Sequence, residues 1–491
     1  MQNTRLAAPA GVLFGFVVIA LFASFVSGPL VGLIIVCMSV PMLIAAQLGA
    51  FQYLTHSGLS AVYVLTLIIT SVAPSLGLLG TVLRFAAAAV IVAVLILRPA
   101  PLHIRLPRHV ASGIILLVCL LLAAMLGAPS IFYGLSRLIN WLMFLPLFFL
   151  YYRFPISGAL IFGFIWSGIL QMLAIALQAA GILGGTWGGL IVSGDGYDPV
   201  NSTWLKRYTG FLLDPNNLGL WLCVSALAAL YMLVREKRTI ISILFFSLFL
   251  LFGYGILLTG SRGSLVALAA GVLVFCFLIG RKGLAIVLAF GCVASVLATL
   301  SVSEEVDRIV LSFAEILSGS DTSATARLDL WSNYIASNNN WIMGAGFGSY
   351  AAEAVSAQSG LFVSAEAAGS ATIDNGWLKL LLESGIVGLC SYLLVYVSCG
   401  IAAIRNRTAT RGGYFSSFVA ASLVACFWRS LSIDILDLNP WNAAFFLLFA
   451  ASLAPSESSS AGKALLPPGS DQSSLLEARA KVVRPRSALR L

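Results

Sequence analysis

The chain has 491 residues, of which 60% are hydrophobic and only 10% charged, with a formal net charge of +9. Soluble domains carry about a quarter charged residues, so the composition excludes a water-soluble globule and makes the bilayer the solvent. The apolar runs are continuous over about 16–25 residues instead of alternating, which excludes an outer-membrane barrel and predicts an all-α polytopic membrane protein.

Hydropathy places spans near 11–26, 29–49, 58–73, 76–97, 110–127, 131–150, 156–183, 212–234, 239–259, 263–280, 283–302, 374–404, 414–430 and 440–454. The expected architecture is a bundle of about 12–14 transmembrane helices, because the short third and thirteenth spans leave the count open. Basic loops fall on one side. They include Arg98, Arg105 and Arg108, then Arg235, Lys237 and Arg238, and later Arg405, Arg407 and Arg411. By the positive-inside rule that side is the cytoplasm, with both termini inside. The basic residues thus report topology; they are not spread as a nucleic-acid face. The eight cysteines form no CxxC pair, so neither a disulfide framework nor a zinc site is expected. The three histidines, His56, His103 and His109, all fall in or beside cytoplasmic loops.

Three regions follow. Residues 1–183 are N-terminal transmembrane helices. Residues 184–454 are a second transmembrane region with a large outer loop at about 303–373. Residues 455–491, rich in Ser, Pro and basic side chains, read as a disordered cytoplasmic tail. In the outer loop, Glu304–Leu317 reads as an amphipathic helix and Ser323–Ser337 as a second one, ended by Asn338–Asn340. Gly344-Ala-Gly-Phe-Gly348 reads as a turn; without a preceding strand or a following acid it is no dinucleotide loop.

Against the topological bias, several cations lie on the outer side. Lys206-Arg207 precedes Asp214-Pro-Asn216-Asn217, a turn suited to capping the next helix. Arg207 serves either an anion at that helix start or interfacial snorkelling. Arg262, in Thr259-Gly-Ser261-Arg262-Gly263, has apolar sequence on both sides and requires an acidic partner or a ligand anion. Arg327 reaches the same face or pairs with Asp321 or Asp329. Asp374-Asn375 stands where the outer loop meets a helix: a base and an orienting amide, or two caps. Glu383 is a deeper acid on that helix. Arg84, Arg137 and Arg429 also fall at or within spans, with partners left open among other helices, Asp434, Asp437 and lipid phosphate.

Four pieces in this order resemble the O-antigen ligase/polymerase superfamily of bacterial surface polysaccharide synthesis. They are Arg207-Tyr-Thr-Gly-Phe with Asp214-Pro-Asn216, Leu258-Thr-Gly-Ser-Arg262-Gly, Arg327 with Trp331 and Gly344–Gly348, and Asp374-Asn-Gly-Trp with Glu383-Ser-Gly-Ile-Val-Gly388. The resemblance spans about residues 200–400. It implies an inner-membrane glycosyltransferase, working on the periplasmic face with undecaprenyl-diphosphate-linked glycan and needing no nucleotide sugar; no His/Asp/Glu set has ligand spacing, so neither metal nor cofactor is expected. Ligases of this group usually carry His-Asn where this chain has Asp374-Asn375, which tilts the expectation toward a repeat-unit polymerase. The alternatives are an O-antigen ligase acting on lipid A-core and, from another class, a flippase of the same lipid.

The expected site then has Asp374 and Asn375 as catalytic residues and Arg207, Arg262 and Arg327 on the diphosphate. Lys206, Asn216, Ser261 and Glu383 are the supporting candidates. Expected partners are the lipid-linked oligosaccharide, membrane lipids, a chain-length regulator and a flippase.

Overall fold

The computed structural model describes residues 56–97, 113, 115–116, 118–119, 122, 131–183, 195–197, 204–280, 328, 331–336, 338, 340–347, 349, 375–409, 413–433 and 439–453. The chain divides into two units, Met1–Ala454 and Pro455–Leu491, and every described element lies in the first. The expected spans at 11–26, 29–49 and 283–302, the helix at 304–317 and the C-terminal tail lie outside the described residues.

The protein is an all-α polytopic membrane protein. Its described helices are α1 His56–Val72, α2 Gly77–Leu97, α3 Ile131–Leu142, α4 Leu145–Arg153, α5 Ser157–Ala179, α6 Pro215–Arg235, α7 Thr239–Leu258, α8 Arg262–Leu278, α9 Gly376–Ala409, α10 Tyr414–Arg429 and α11 Asn439–Leu453. Five described stretches are long and apolar enough to cross a bilayer: Ser57–Ile96, Ser157–Ala179, Pro215–Arg235, Thr239–Leu258 and Gly376–Asn406. The first of these is bent, because a 3₁₀ turn over Ala73–Leu76 separates α1 from α2, which pack on each other. A single helix of that length would measure about 60 Å, twice the hydrocarbon core, so the bend is what lets it fit.

Other than helices and turns, the described residues hold a two-stranded antiparallel ribbon, β1 Asp195–Tyr197 with β2 Trp204–Lys206. In its register Asp195 faces Lys206.

Helix α6 is the axis of the bundle. It packs against α5, α7, α8 and α10, and Leu218 through Leu230 are all buried. Small residues allow this. A Cβ at Gly219 would crowd Ser264 of α8 at 2.6 Å from its Oγ. Close backbone approach of this kind drives helix pairing in lipid, where water supplies no hydrophobic force. Hydroxyls reinforce it: Ser225 donates to the Phe164 carbonyl of α5 at 2.8 Å, and Trp221 Nε1 donates to Ser167 at 2.9 Å. Helix α7, by contrast, exposes Ile240, Ile243, Leu244, Leu250 and Tyr254, as a lipid-facing helix must.

Two expected single spans are interrupted. The 131–150 span is broken between α3 and α4 at Met143–Phe144, just before Pro146, whose missing N–H ends helical continuity. The 374–404 span is interrupted at Gly385 (φ 69°, ψ −177°), leaving a short leading piece from Gly376 to Ser384 and a long trailing one.

Candidate functional site

The site assembles from three turns and one helix start. The first is the segment after β2. Asp214 caps α6, accepting from the backbone N–H of Asn216 at 2.6 Å and of Asn217 at 3.4 Å. Pro215 occupies the first helical position, where its missing N–H costs nothing. The Asp-Pro-Asn-Asn turn therefore forms as its residue types dictate.

Two glutamines of α5 hold this segment in place. Gln178 accepts from Gly210 N at 3.1 Å and donates to the Gly210 carbonyl at 3.3 Å. Gln171 accepts from Phe211 N at 2.9 Å while donating to the Ser71 carbonyl of α1 at 2.9 Å. Seven residues apart, the two amides share one helix face.

The second piece is the turn Thr259–Ser261 between α7 and α8. Arg207 joins it to the first: its Nε donates to the Thr259 carbonyl at 3.0 Å and its Nη2 to Asn216 Oδ1 at 3.1 Å. Tyr208 N adds a bond to the Leu258 carbonyl at 3.4 Å. Gly260 sits at φ 61°, and a Cβ there would stand 3.3 Å from Arg207 Nε. The tight turn and the close approach of the guanidinium both require glycine at that position. Arg262, half-buried, is the first residue of α8, two positions beyond Gly260.

The third piece is the turn after α10. Arg429, the last residue of α10, is buried. Its Nε donates to Ser264 Oγ at 3.2 Å, its Nη2 to Ser261 Oγ at 3.1 Å and its Nη1 to Ser432 Oγ. Ser261 and Ser264 also bond each other at 2.8 Å.

The start of α9 docks onto this turn. Gly376 N donates to the Ser430 carbonyl at 2.8 Å and to that of Ile433 at 3.2 Å. Asn375 Oδ1 accepts from Leu378 N at 3.0 Å, so the amide caps α9. Trp377 donates to the Phe427 carbonyl at 3.3 Å and packs against Tyr392, Tyr396 and Phe427.

Lower on α9, the break at Gly385 receives the outer loop. Ala345 N donates to the Leu382 carbonyl at 2.7 Å, Gly346 N to that of Glu383 at 3.1 Å, and Ile386 N to that of Trp341 at 2.9 Å. A broken helix must have its freed backbone groups met within the protein at this depth, and the loop backbone meets them. The glycine-rich run is thus a turn that plugs a helix. Asn340 shapes its approach, accepting from Met343 N at 3.1 Å. Glu383 is buried, one turn along from buried Lys379.

Electrostatically the cations stand in a telling place. Arg262 opens α8, Arg207 bonds Asn216 in the first turn of α6, and Arg429 bonds Ser261 and Ser264 at the start of α8. A helix N-terminus carries about half a positive charge, so guanidinium groups there reinforce a positive potential instead of relieving it. The Asp214 carboxylate capping α6 and the carbonyl ending α7 that takes Arg207 offset part of this. The arrangement suits an anion with several oxygens.

Of the residues expected at the site, the structure bonds Arg207 to Asn216, ties Ser261 to Arg429, sets Arg262 as the first residue of α8 and makes Asn375 the cap of α9. Lys206 ends β2, next to Arg207. Asp374 and Arg327 lie outside the described residues. Arg429 was visible in the sequence only as a charge at a span end. Its serine partners lie more than 160 positions away in two cases. Gln171 and Gln178 carried a legible signal, two polar amides at helical spacing in an apolar run.

Residues 246–393 match the family model described as O-antigen ligase. That segment belongs to the O-antigen ligase/polymerase superfamily. No curated protein matches the chain. The matched segment runs from within α7 through α8 into α9, and so contains Ser261, Arg262, Asn375 and Glu383. Arg207, the glutamine clamp and Arg429 lie outside the match, and Arg207 and Arg429 are joined to it by hydrogen bonds.

Proposed function

We propose that the chain is a repeat-unit polymerase, a metal-independent glycosyltransferase of the inner membrane acting on the periplasmic face. In this reading residues 1–183 are scaffold, 184–454 form the catalytic region, and 455–491 form a cytoplasmic tail, as both termini are cytoplasmic. The observation that carries it is the placing of Arg207 and Arg262 at the starts of α6 and α8, tied through Arg429 and the turn after α10 to the helix that begins after Asp374-Asn375.

The donor is growing glycan on undecaprenyl diphosphate. A hydroxyl oxygen of the incoming lipid-linked unit attacks the anomeric carbon, and its proton passes to the Asp374 carboxylate. The bond from that carbon to the diphosphate oxygen breaks. Undecaprenyl diphosphate departs with the electron pair, its charge taken up by Arg207, Arg262 and Arg327. Single displacement inverts the anomeric centre. Asn375, whose Oδ1 caps α9, precedes Gly376, whose N–H docks the helix start on the Ser430 and Ile433 carbonyls.

The second reading is an O-antigen ligase, favoured by the description of the matching family. The Asp374-Asn375 pair, in place of His-Asn, favours the polymerase. Deletion of the gene separates them: loss of a polymerase leaves single repeat units attached to the cell-surface acceptor, whereas loss of a ligase leaves none. Purified protein that lengthens lipid-linked oligosaccharide without ATP or an ion gradient supports an enzyme and excludes a flippase. Absence of chain growth with authentic substrate overturns the reading.

A further inference from the structure

The transferase reading needs two halves of the site held in register: the cations that receive the diphosphate and the α9 start that follows Asp374-Asn375. We propose that Arg429 is the positioning residue that fixes one half to the other. The proposal rests on that reading and adds a residue outside the matched segment to it.

Arg429 is buried, yet its fork spans two turns. On one side it donates to Ser261 and Ser264, which flank Arg262 in sequence. Ser264 is also 3.5 Å from the Asn216 carbonyl, and Asn216 receives Arg207. On the other side Arg429 donates to Ser432, inside the turn whose Ser430 and Ile433 carbonyls take the Gly376 N–H. A path of hydrogen bonds and short backbone links therefore runs from Arg207, and from the two serines flanking Arg262, through Arg429 to the turn that holds Gly376, the residue following Asn375.

The geometry leaves Arg429 little room for a direct role. A Cβ on Gly263 would meet Arg429 Nη1 at 2.5 Å and Ser432 Oγ at 3.0 Å, so the guanidinium is packed into the α8 start and does not project from it. Lysine cannot replace it, since one ammonium cannot reach across both turns with a fixed planar fork.

The test uses the full chain in nanodiscs, as wild type, Arg429→Gln, Arg429→Lys and Ser432→Ala. Turnover is measured with lipid-linked repeat unit, binding with undecaprenyl diphosphate alone, and backbone hydrogen exchange over 375–380. Arg429→Gln is expected to lower kcat about a hundredfold, the usual cost of displacing reacting groups by about 1 Å. The Kd for undecaprenyl diphosphate should weaken far less than kcat falls, because Arg207 and Arg262 stay in place and only the packed-in Arg429 charge is lost. Exchange at Gly376 should rise, and Arg429→Lys should not restore turnover. Ser432→Ala, a milder cut of the same link, should lower kcat about three- to tenfold and serves if the arginine variants fail to accumulate. Wild-type kcat in any folded variant overturns the proposal. A Kd that weakens in step with kcat also overturns it, because Arg429 would then be an anion ligand. A wild type that neither binds nor turns over removes the transferase reading and this proposal together, a result distinct from either of those.

Discussion

Two interrupted membrane helices in this molecule are repaired differently. Between α1 and α2 the chain bends at Ala73–Leu76, and the nearby Ser71 carbonyl is met by the side chain of Gln171. Within α9 the chain breaks at Gly385, and the freed groups are met by the backbone of the outer loop at Trp341, Ala345 and Gly346. A side-chain repair leaves the amide's other end available, and Gln171 spends it on Phe211 of the Arg207 segment. A backbone repair instead fastens a whole loop to the helix that begins beside Asn375. Each break therefore anchors a different half of the site, the first through one residue and the second through a run of peptide groups.

This difference ranks the expected effects of mutation. Gly385→Val should be the most damaging. It forces a branched residue into positive φ, and its Cβ would overlap the Ile342 carbonyl. Stability should fall by about 3 kcal/mol or more, with faster exchange at Ala345, Gly346 and Ile386. A normal thermal midpoint would show that the loop is not fastened there. Gln171→Leu comes next, at about 2–3 kcal/mol, because it leaves two buried backbone groups unmet at once. If one midpoint shift equals that of Gln178→Leu, whose lost bonds all lie in the Thr209–Gly210 segment, the bridging role assigned to Gln171 is wrong.

Arg207→Lys should lower turnover about tenfold, equivalent to about 1.4 kcal/mol, since an ammonium cannot keep both the Thr259 carbonyl and Asn216 Oδ1 while facing an anion. Unchanged turnover would reduce Arg207 to an interfacial charge. Asp214→Ala should be the mildest, costing about 1 kcal/mol of α6 cap energy, read as a small drop in thermal midpoint.

How much of this was legible in the sequence depends on the range of the interaction. Span positions followed from hydropathy: α6, α7, α8 and α10 begin and end within a few residues of expectation, because apolar length alone sets them. The Asp214 cap was legible because it is local chemistry, whereas the turn closed by Asn340 lies ahead of the Gly344–Gly348 turn that the sequence suggested. Glu383-Ser-Gly385 interrupts the apolar run with a kink signal, but the docking of Trp341–Gly346 that holds the break open is a long-range contact no local pattern announces. Arg429 could be counted as a costly buried charge, but its partners come from α8 and the turn beyond α10, and no local pattern announces them. The positions of Arg207 and Arg262 at two helix starts joined one expected site to another. The functional meaning of Asn375 divided, because its cap is now explicit and any substrate contact is additional.

The central claim is that guanidinium groups gathered at the α6 and α8 starts receive a departing diphosphate. Its most direct test is chain growth on lipid-linked repeat units by purified Arg262→Ala protein that has inserted and accumulated normally. The account predicts no polymer beyond the starting unit and weakened binding of undecaprenyl diphosphate. Products of wild-type length at a wild-type rate would contradict it.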